Sequence, residues 1–236
     1  MRERNLIVAL DFATKKEVDA FLSQFPKEKL FIKIGMELFY REGPEFVYHL
    51  KQLGHEIFLD LKLHDIPTTV KRAMKQLASL EIDLVNVHAL GGVNMMAAAK
   101  EGLEAGTPMG KEMPTCIAVT QLTSTTPEML SKEMDIHTPL QEHVVHLCQQ
   151  VNSATLDGVV CSALEVPMIQ EYFSDSFITV TPGIRRLQDA TDDQARVVTP
   201  AKARELGSQA IVVGRGITRA DQPKVAYEEY LREWRQ

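Results

Sequence analysis

Four ionisable side chains lie close together at the end of an otherwise apolar run. The run is FLDLKLHDIP, residues 58–67, and it contains Asp60, Lys62, His64 and Asp65. A lysine ammonium can donate a proton or stabilise a developing negative charge, and a carboxylate can orient that ammonium or repel an anionic group. Burying such charges is unfavourable unless they are paired or used. The stretch therefore indicates a catalytic or binding site, although Asp60 and Lys62 could instead form a purely structural ion pair.

Eight short apolar runs, rich in β-branched residues, alternate with amphipathic segments that favour helix. The runs are NLIVALDF from residue 5, LFIKIGM from 30, EIFLDLK from 56, DLVNVHA from 83, TCIAVTQL from 115, DGVVCSA from 157, FITVTPG from 177 and AIVVGRG from 210. Eight such units predict a closed (β/α)8 TIM barrel, in one domain over residues 1–236. An open doubly wound sheet is the rival fold, but LDFATKK after the first run lacks the usual glycine-rich turn.

Helix boundaries and long loops can also be predicted between these runs. Thr14 and Glu17 have the spacing of a capping box, and Thr199 before Pro200 predicts an N-cap followed by proline at the first helical position. Residues 121–137 read as a long loop after the fifth run that contains a short helix. Residues 183–197 form a similar loop after the seventh run, and both loops are expected at the face where a barrel builds its active site.

The catalytic groups of a barrel project from the C-terminal ends of its strands. The polar residues at those ends are Asp11, Lys33, Asp60, Lys62, His88, Thr123 and Arg215, the last preceded by Gly214. Because strand side chains alternate between faces, Asp60 and Lys62 should point the same way while Leu59 and Leu61 face the surrounding helices. The collection of charges at one end of the predicted barrel favours a functional site there.

Structural explanations remain open for the individual residues. Asp11 and Asp65 could each cap the helix that follows, and Lys33 could extend its ammonium to solvent. His64 is expected in a solvated turn and His88 as a supporting histidine, and the sequence assigns neither a role.

Glycines and arginines follow the seventh and eighth runs. TPGIRR at 181–186 and VVGRGIT at 212–218 contain Arg185 and Arg215. In barrels these two loops commonly bind phosphate through backbone N–H groups, and a guanidinium binds phosphate through two hydrogen bonds. The two motifs predict a phosphate site.

The composition is that of an ordinary globular protein, with 44% hydrophobic and 25% charged residues among 236. A net charge of −6 argues against a general nucleic-acid or anionic-membrane surface. Cys116, Cys148 and Cys161 lack CxxC spacing, which predicts buried thiols and neither a disulfide framework nor a zinc site. The early run LIVAL is too short for a signal peptide or a membrane span, so a cytoplasmic protein is expected.

Five motifs carry a family resemblance. LDLKLHDIPTTV with its Asp-x-Lys-x-x-Asp spacing, VALDF, KIGMELF, VTPGIR and IVVGRGIT resemble, in order and over essentially the whole chain, the bacterial-type orotidine 5′-phosphate decarboxylase family. The resemblance implies a (β/α)8 homodimer that converts orotidine 5′-monophosphate to UMP and CO2. It also implies that this last step of de novo pyrimidine synthesis needs no metal or organic cofactor.

The resemblance implies catalytic roles for four residues. Lys62 would give a proton to C6 of the pyrimidine, and Asp60 would lie beside the substrate carboxylate. Lys33 would complete the charged array, and Asp65 would reach the site from the partner subunit.

The same resemblance implies a set of substrate contacts. They are Asp11, Lys33, Ile66, Thr69, Thr123, Pro182, Arg185, Gln194, Gly214 and Arg215. Asp11 would contact the ribose together with Lys33, and Ile66 and Thr69 would come from the partner subunit. Thr123 would contact the edge of the base, and Gln194 would bridge base and phosphate. The phosphate would be held by the pair Gly214 and Arg215 together with Arg185.

Three other functions stay open at this point. A sugar-phosphate decarboxylase or aldolase-like synthase shares the Asp-x-Lys-x-x-Asp scaffold but uses Mg²⁺ and an enediolate. A Schiff-base aldolase would use Lys62 or Lys33 and needs an amine free of nearby carboxylates. A non-catalytic phosphate-binding barrel would have no need of the Asp60, Lys62 and Asp65 array. Metal dependence and borohydride trapping would separate the enzyme alternatives.

Overall fold

Eight parallel strands form a closed barrel in the computed structural model, which describes residues 5–189 and 197–236. The strands are β1 (Asn5–Ala9), β2 (Phe31–Gly35), β3 (Glu56–Leu63), β4 (Leu84–His88), β5 (Thr115–Val119), β6 (Gly158–Val160), β7 (Ile178–Thr181) and β8 (Ala210–Val213). Each strand pairs with the next along the chain, and β8 pairs with β1. The predicted (β/α)8 barrel is confirmed, and each of the eight apolar runs contains one strand.

Helices connect the strands along the outside of the barrel. Within the described ranges they are α1 (Lys15–Leu22), α2 (Met36–Gln52), α3 (Pro67–Ala78), α4 (Gly92–Gly106), α5 (Pro127–Lys132), α6 (Leu140–Ser153), α7 (Val166–Gln170), α8 (Pro200–Glu205), α9 (Arg215–Thr218) and α10 (Pro223–Arg235). Of these, α5 is the short helix expected within residues 121–137. None of the helices in the described part of the chain combines the length and apolar character needed to cross a lipid bilayer.

Two predicted helix starts are confirmed. The Thr14 hydroxyl accepts a hydrogen bond from the backbone N–H of Glu17 (3.3 Å) and donates one to the Glu17 carboxylate (2.8 Å). Thr199 accepts a hydrogen bond from the backbone N–H of Lys202 (3.1 Å), with Pro200 at the first position of α8. Both caps satisfy backbone donors that a helix start leaves without partners.

The apolar core has two parts, one inside the barrel and one between the strands and the helices. The interior part consists of Ile7, Ala9, Phe31, Phe58, Leu84, Ile117, Val180, Ala210 and Val212. Leu59 and Leu61 belong to the outer part, as strand alternation predicted. Two residues beyond Phe31, Phe58 and Leu84 along their strands come the polar residues Lys33, Asp60 and Asn86. The same alternation that fills the barrel therefore directs these polar side chains toward its mouth.

Strand β3 carries two more residues than β4 between consecutive pairs of the ladder. Leu59 pairs with Val85, and the next pair is Leu63 with Val87. Three residues of β3 therefore lie opposite a single residue of β4, Asn86. Such β-bulges redirect side chains and are frequent next to active sites.

The bulge places Lys62 in an unusual backbone conformation. Its φ angle is 52°, in the left-handed region that non-glycine residues adopt rarely. Conformations of this kind persist only where the surrounding contacts hold them. The backbone of Lys62 must therefore be fixed by neighbours.

Helices α3 and α4 touch through their backbones at two glycines. A Cβ atom added at Gly102 would lie 2.3 Å from the carbonyl oxygen of Lys71, and one at Gly106 would lie 2.2 Å from that of Lys75. Residues four apart share one face of a helix, so the two glycines form a flat strip on α4. This contact fixes the position of α3, which begins just after Asp65.

The three cysteines are buried, as predicted. Burial raises the pKa of the Cys116 thiol to about 12 and that of the Cys148 thiol to about 12. These two thiols are therefore uncharged at neutral pH, which is typical of core residues.

Candidate active site

A cavity of about 240 Å³ opens at the C-terminal end of the barrel. Its lining includes nine of the thirteen predicted site residues, namely Asp11, Lys33, Asp60, Lys62, Thr123, Pro182, Arg185, Gly214 and Arg215. They come from the ends of six strands and the loops that follow them. The closed ring of strands thus collects residues that are up to about 200 positions apart in the chain, as expected for this fold.

Lysine and aspartate side chains alternate along one side of the cavity. Lys33 Nζ lies 3.3 Å from Asp11 Oδ1 and 3.3 Å from Asp60 Oδ2. Lys62 Nζ lies 2.7 Å from Asp60 Oδ1. The side chains of Lys33 and Asp60 are only 13% and 12% exposed, so solvent screens these pairs weakly. The expectation that Lys33 could extend to solvent is wrong, because two carboxylates hold its ammonium inside the cavity.

The array shifts the pKa of both buried members toward their charged forms. Burial acts to lower the pKa of Lys33, but the Asp60 and Asp11 carboxylates outweigh burial and raise the pKa above its ordinary value. For Asp60, burial acts to raise the pKa, but Lys33, Lys62 and hydrogen bonds from Lys62 and Asn86 lower it below its ordinary value. Both groups are therefore charged at neutral pH.

Asn86 joins the two charged residues of β3. Its side chain is fully buried, its Nδ2 donates a hydrogen bond to Asp60 Oδ1 (2.7 Å), and its Oδ1 accepts one from the backbone N–H of Lys62 (2.8 Å). Sequence reasoning missed this residue. The signal was present, since Asn86 is a polar residue at the inward-facing position below His88 in an otherwise apolar strand.

Arg185 and Arg215 lie with Gly214 on the lining of the same cavity, so the residues of the predicted phosphate site are close together. A Cβ atom added at Gly214 would lie 3.3 Å from Asp11 Oδ2, so the backbone there passes close to the charged array. This close approach lets one cavity hold the charged array and the two arginines.

A partly buried network supports the segment that carries Arg185. The backbone N–H of Arg186 donates to Asp189 Oδ2 (2.9 Å) and to the Tyr230 hydroxyl (3.3 Å). The Tyr230 hydroxyl in turn donates to Asp189, and the Arg186 guanidinium pairs with Glu229. Helix α10 thereby fixes the start of the loop that follows β7. Sequence reasoning did not find this network, because its contacts with α10 join residues more than forty positions apart.

The backbone closes this loop at its base. Arg185 N–H donates to Val198 O (3.0 Å), and Val198 N–H donates to Gly183 O (3.2 Å). Gln194, one of the predicted substrate contacts, lies outside the described residues.

Asp65, Ile66 and Thr69 are not brought into the cavity. All three are exposed, and Ile66 is 66% exposed although its side chain is apolar. The Asp65 carboxylate accepts a hydrogen bond from the adjacent Ile66 N–H (2.6 Å). The capping alternative for Asp65 is wrong, since the N-cap of α3 is Ile66 and no side chain caps that helix.

The capping alternative for Asp11 is also wrong. Helix α1 begins at Lys15, and its cap is Thr14. Asp11 instead pairs with Lys33 at the cavity.

The rings of His64 and His88 stack, with their centroids 5.8 Å apart. His88 Nδ1 accepts a hydrogen bond from the backbone N–H of Leu90 (3.3 Å). Burial, with help from His64 and Lys62, lowers the pKa of His88 to about 4. His88 is therefore neutral at neutral pH and acts as an acceptor in this turn.

Within residues 5–189 and 197–236, no group of three or more His, Cys, Asp or Glu side chains is arranged to hold a metal ion. The two cavity carboxylates, Asp11 and Asp60, are both paired with Lys33. A metal ion would have to compete with this ammonium for the same oxygens.

Comparison with known proteins gives consistent matches over the whole barrel. The family model described as "Orotidine 5'-phosphate decarboxylase / HUMPS family" matches residues 4–230. A curated protein of Bacillus cytotoxicus named orotidine 5′-phosphate decarboxylase is 59% identical over 231 residues, which cover 98% of this chain and 97% of the relative. A protein of Bacillus cereus with the same name is 58% identical over the same shares.

Two solved structures are similar as well. A crystal structure of orotidine 5′-phosphate decarboxylase from Lactobacillus acidophilus matches with a TM-score of 0.90 and 44% identity, covering 99% of this chain and 100% of that one. A crystal structure of an uncharacterized conserved protein from Geobacillus kaustophilus matches with a TM-score of 0.88 and 53% identity, covering 97% of this chain and 99% of that one.

Proposed function

Because this chain belongs to the orotidine 5′-phosphate decarboxylase / HUMPS family, we propose that it converts orotidine 5′-monophosphate to UMP and CO2 without a metal or organic cofactor. The observation that carries the proposal is the alternating array of Lys33, Asp60 and Lys62 in a cavity that also contains Arg185 and Arg215. The array supplies fixed charge for the reacting carbon, and the arginines supply a grip for a phosphate. Relatives that are 58–59% identical bear the name of this activity.

In the proposed reaction, Lys62 is the proton donor. The bond between C6 of the pyrimidine and the carboxylate carbon breaks, its electron pair stays on C6, and CO2 leaves. An ammonium close to C6 stabilises negative charge that grows only in the transition state, which is how an enzyme accelerates a chemical step. Lys62 then gives a proton to C6, and solvent returns one to Lys62.

Asp60 contributes by repelling the substrate carboxylate. Two like charges about 4 Å apart interact by about 4 kcal/mol at an effective dielectric constant near 20. This repulsion disappears when CO2 leaves, so it favours the transition state over the bound substrate. The lowered pKa of Asp60 supports this role, because the carboxylate keeps its charge without substrate.

The remaining cavity residues bind the substrate in this proposal. Lys33 and Asp11 contact the ribose, and Thr123 contacts the edge of the base. Gln194 bridges base and phosphate, and Pro182 lies beside the substrate. Gly214 and the two cavity arginines, Arg185 and Arg215, hold the phosphate. Binding energy from the phosphate, remote from C6, is then available to orient the base over Lys62.

We also propose a homodimer in which each site is completed by Asp65, Ile66 and Thr69 of the other subunit. These residues are exposed and do not line the cavity of their own chain, which supports a role in a neighbouring site. A second subunit would also cover the exposed apolar side chain of Ile66.

Two broader expectations belong with this proposal. The strands of the closed barrel run from residue 5 to residue 213, which supports a single domain over 1–236. A step of pyrimidine synthesis that uses a nucleotide substrate supports a cytoplasmic location, which fractionation of the source cells would test.

The first experiment adds orotidine 5′-monophosphate to protein that has been treated with a chelator and dialysed. Loss of absorbance at the orotate band, with UMP formed in equal amount, is the expected result. Absence of turnover by folded protein, with activity restored by Mg²⁺, would contradict the cofactor-free mechanism. Turnover of a sugar phosphate in place of the nucleotide would contradict the substrate. Borohydride in the presence of substrate should trap no adduct on Lys62 or Lys33.

A further inference from the structure

We propose that Asn86 is a positioning residue of this active site, which holds the Asp60 carboxylate and the Lys62 backbone in one fixed arrangement across the bulge of β3. The inference rests on the proposed decarboxylation and deepens it. It adds to the charged array a neutral group that acts through Asp60 and Lys62 and does not touch the substrate.

The oxygen and the nitrogen of the Asn86 amide each form a hydrogen bond, and the chemistry of the two partners determines the orientation of the amide. The Lys62 backbone N–H can only donate, so the amide atom 2.8 Å from it must be the oxygen. The amide nitrogen then faces Asp60 Oδ1 at 2.7 Å, where an ionised carboxylate can only accept. An amide is therefore the one common side chain of this size that satisfies both neighbours at once.

The bulge explains why such a group is needed. The two extra residues of β3 interrupt the regular ladder with β4, so the Lys62 N–H loses the partner that a neighbouring strand would provide. Asn86 lies opposite the bulge and supplies that acceptor from its side chain. The same hydrogen bond holds Lys62 at its φ of 52°, which sets the direction in which its side chain leaves the strand.

The second hydrogen bond selects one orientation of the Asp60 carboxylate. Asp60 Oδ1 accepts from Lys62 Nζ and from Asn86 Nδ2, each at 2.7 Å, while Oδ2 lies 3.3 Å from Lys33 Nζ. Rotation of the carboxylate would break the bond to Asn86. The two lysine ammonium groups are thus assigned to different oxygens, and Asn86 does this without adding charge to the cavity.

Two variants separate a positioning role from a purely structural one. Asn86→Asp keeps nearly the same shape and the acceptor for Lys62, but it replaces the donor to Asp60 by a carboxylate about 2.7 Å away. Asn86→Leu removes both hydrogen bonds at similar volume. Thr179→Val is the matched control, because Thr179 is an equally buried polar residue of β7 that belongs to neither the cavity nor the array.

For Asn86→Asp we expect kcat at neutral pH to fall about 100-fold, as for an active-site displacement of about 1 Å, with KM changed much less. Two carboxylates this close share a proton, so the pair takes up one proton at a raised pKa. Once bound, that proton restores a donor to Asp60 and a net charge of −1. The kcat of this variant should therefore rise as the pH falls, a limb that the unchanged protein and Thr179→Val lack. A pH profile parallel to that of the unchanged protein would overturn the proposal.

For Asn86→Leu we expect a comparable loss of kcat that does not recover at low pH, in protein whose thermal unfolding is cooperative. Its Asp60 carboxyl, followed by carbon-13 NMR, should titrate at a higher pH than in the unchanged protein, because one donor to the ionised form is gone. Failure of both Asn86 variants to fold would assign a structural role and overturn the proposal. So would unchanged kcat in either variant.

Failure of the proposed function can be distinguished from failure of the inference about Asn86. It would appear as absence of decarboxylation by the unchanged protein itself. The carbon-13 titration of Asp60 needs no turnover, so it still tests whether Asn86 orients that carboxylate. An Asp60 titration that is the same with and without Asn86 would overturn the inference in that case too.

Discussion

Lys62 Nζ lies 2.7 Å from Asp60 Oδ1, although the two residues are separated by only one position on the same strand. The pair exists because β3 bulges opposite Asn86 and both side chains extend into the cavity. One strand thus presents the proposed proton donor and the proposed repulsive carboxylate together. The short distance between them depends on the conformation of β3 at the bulge and on the hydrogen bonds that join Asn86 to both residues.

Lys62→Ala should abolish turnover while leaving product binding nearly intact. The change removes the proposed proton donor and the charge proposed to stabilise the carbanion, and each of these effects contributes at least about 100-fold in comparable enzymes. We expect kcat to fall by at least about 1,000-fold and the affinity for UMP to change by less than about tenfold. Steady-state kinetics and calorimetric titration with UMP would measure the two quantities.

The control for this variant is Lys111→Ala, since Lys111 forms an exposed ion pair with Glu81 far from the barrel mouth. It should retain full activity. Equal losses of turnover and of UMP affinity in Lys62→Ala would make Lys62 a ligand contact or a structural residue.

Mixing two inactive variants should restore activity if the sites are shared. In a dimer of Lys62→Ala with Asp65→Ala subunits, one of the two sites contains both native residues. Random exchange at equal concentrations gives half mixed dimers, so about a quarter of the native activity is expected for a two-fold symmetric dimer. Activity of the mixture after mild denaturation and refolding is the measurement. No recovery, with mixed dimers detected by mass, would place Asp65 in the site of its own chain or outside any site.

His88 should make the fold less stable in mild acid. Its pKa in the folded protein is about 4, below the ordinary value near 6.5, so the unfolded chain binds more protons between these pH values. The free energy of unfolding therefore declines as the pH falls through this window, by at most about 1.4 kcal/mol per pH unit. His88→Asn keeps an acceptor for Leu90 and should flatten this decline in denaturant unfolding at pH 7 and pH 5. His137→Asn, at an exposed site, should behave like the unchanged protein. Equal slopes in all three proteins would remove His88 as the cause.

Tyr230→Phe should weaken the contribution of the substrate phosphate to kcat/KM. The change removes the hydroxyl that links Arg186 and Asp189 below Arg185. A hydrogen bond of about 1.4 kcal/mol corresponds to a tenfold effect, so kcat/KM for the nucleotide should fall about tenfold. The nucleoside without phosphate should be turned over at an unchanged rate.

Tyr227→Phe is the matched control, because Tyr227 lies on the same helix and packs edge-on against Phe25 away from the Arg186 network. It should change neither rate. Parallel losses with nucleotide and nucleoside would mean that Tyr230 supports the barrel in general.

Gly102→Ala should lower stability through overpacking. The new methyl group would meet the Lys71 carbonyl at 2.3 Å, and backbone cannot move aside as a flexible side chain can. Such changes reduce the free energy of unfolding by about 1–3 kcal/mol. Thermal and denaturant unfolding would show the loss, and Glu104→Ala on the exposed side of α4 should show none. Equal stability of the two variants would mean that α3 and α4 can separate at little cost.

Periodicity was sufficient to predict the barrel. Eight apolar runs of strand length left room for eight helices, and the closed ring follows from that count. The positions of Asp11, Lys33, Asp60 and Lys62 at the cavity followed as well, because the ends of parallel strands meet at one face.

The bulge could not be predicted, and of its partner Asn86 only the inward-facing position could. The alternation of apolar and polar residues is unbroken through positions 59–63, so the pattern gives no sign of the two extra residues in β3. Asn86 acquires its role only from residues more than twenty positions earlier in the chain. The two capping alternatives were wrong for a local reason. Helix α1 begins several residues after Asp11, and the N-cap residue of α3 is Ile66 and not Asp65.

The weak exposure of Lys33 and Asp60 bears on attempts to make this barrel more heat-resistant. Replacing a buried ion pair by apolar residues of similar volume is often neutral or stabilising by about 1–4 kcal/mol. If a library of variants were ranked by melting temperature alone, variants with apolar residues at the barrel mouth would rank highest. These variants would have lost the proposed chemistry. Directed evolution of this protein therefore needs a selection for turnover alongside any selection for thermostability.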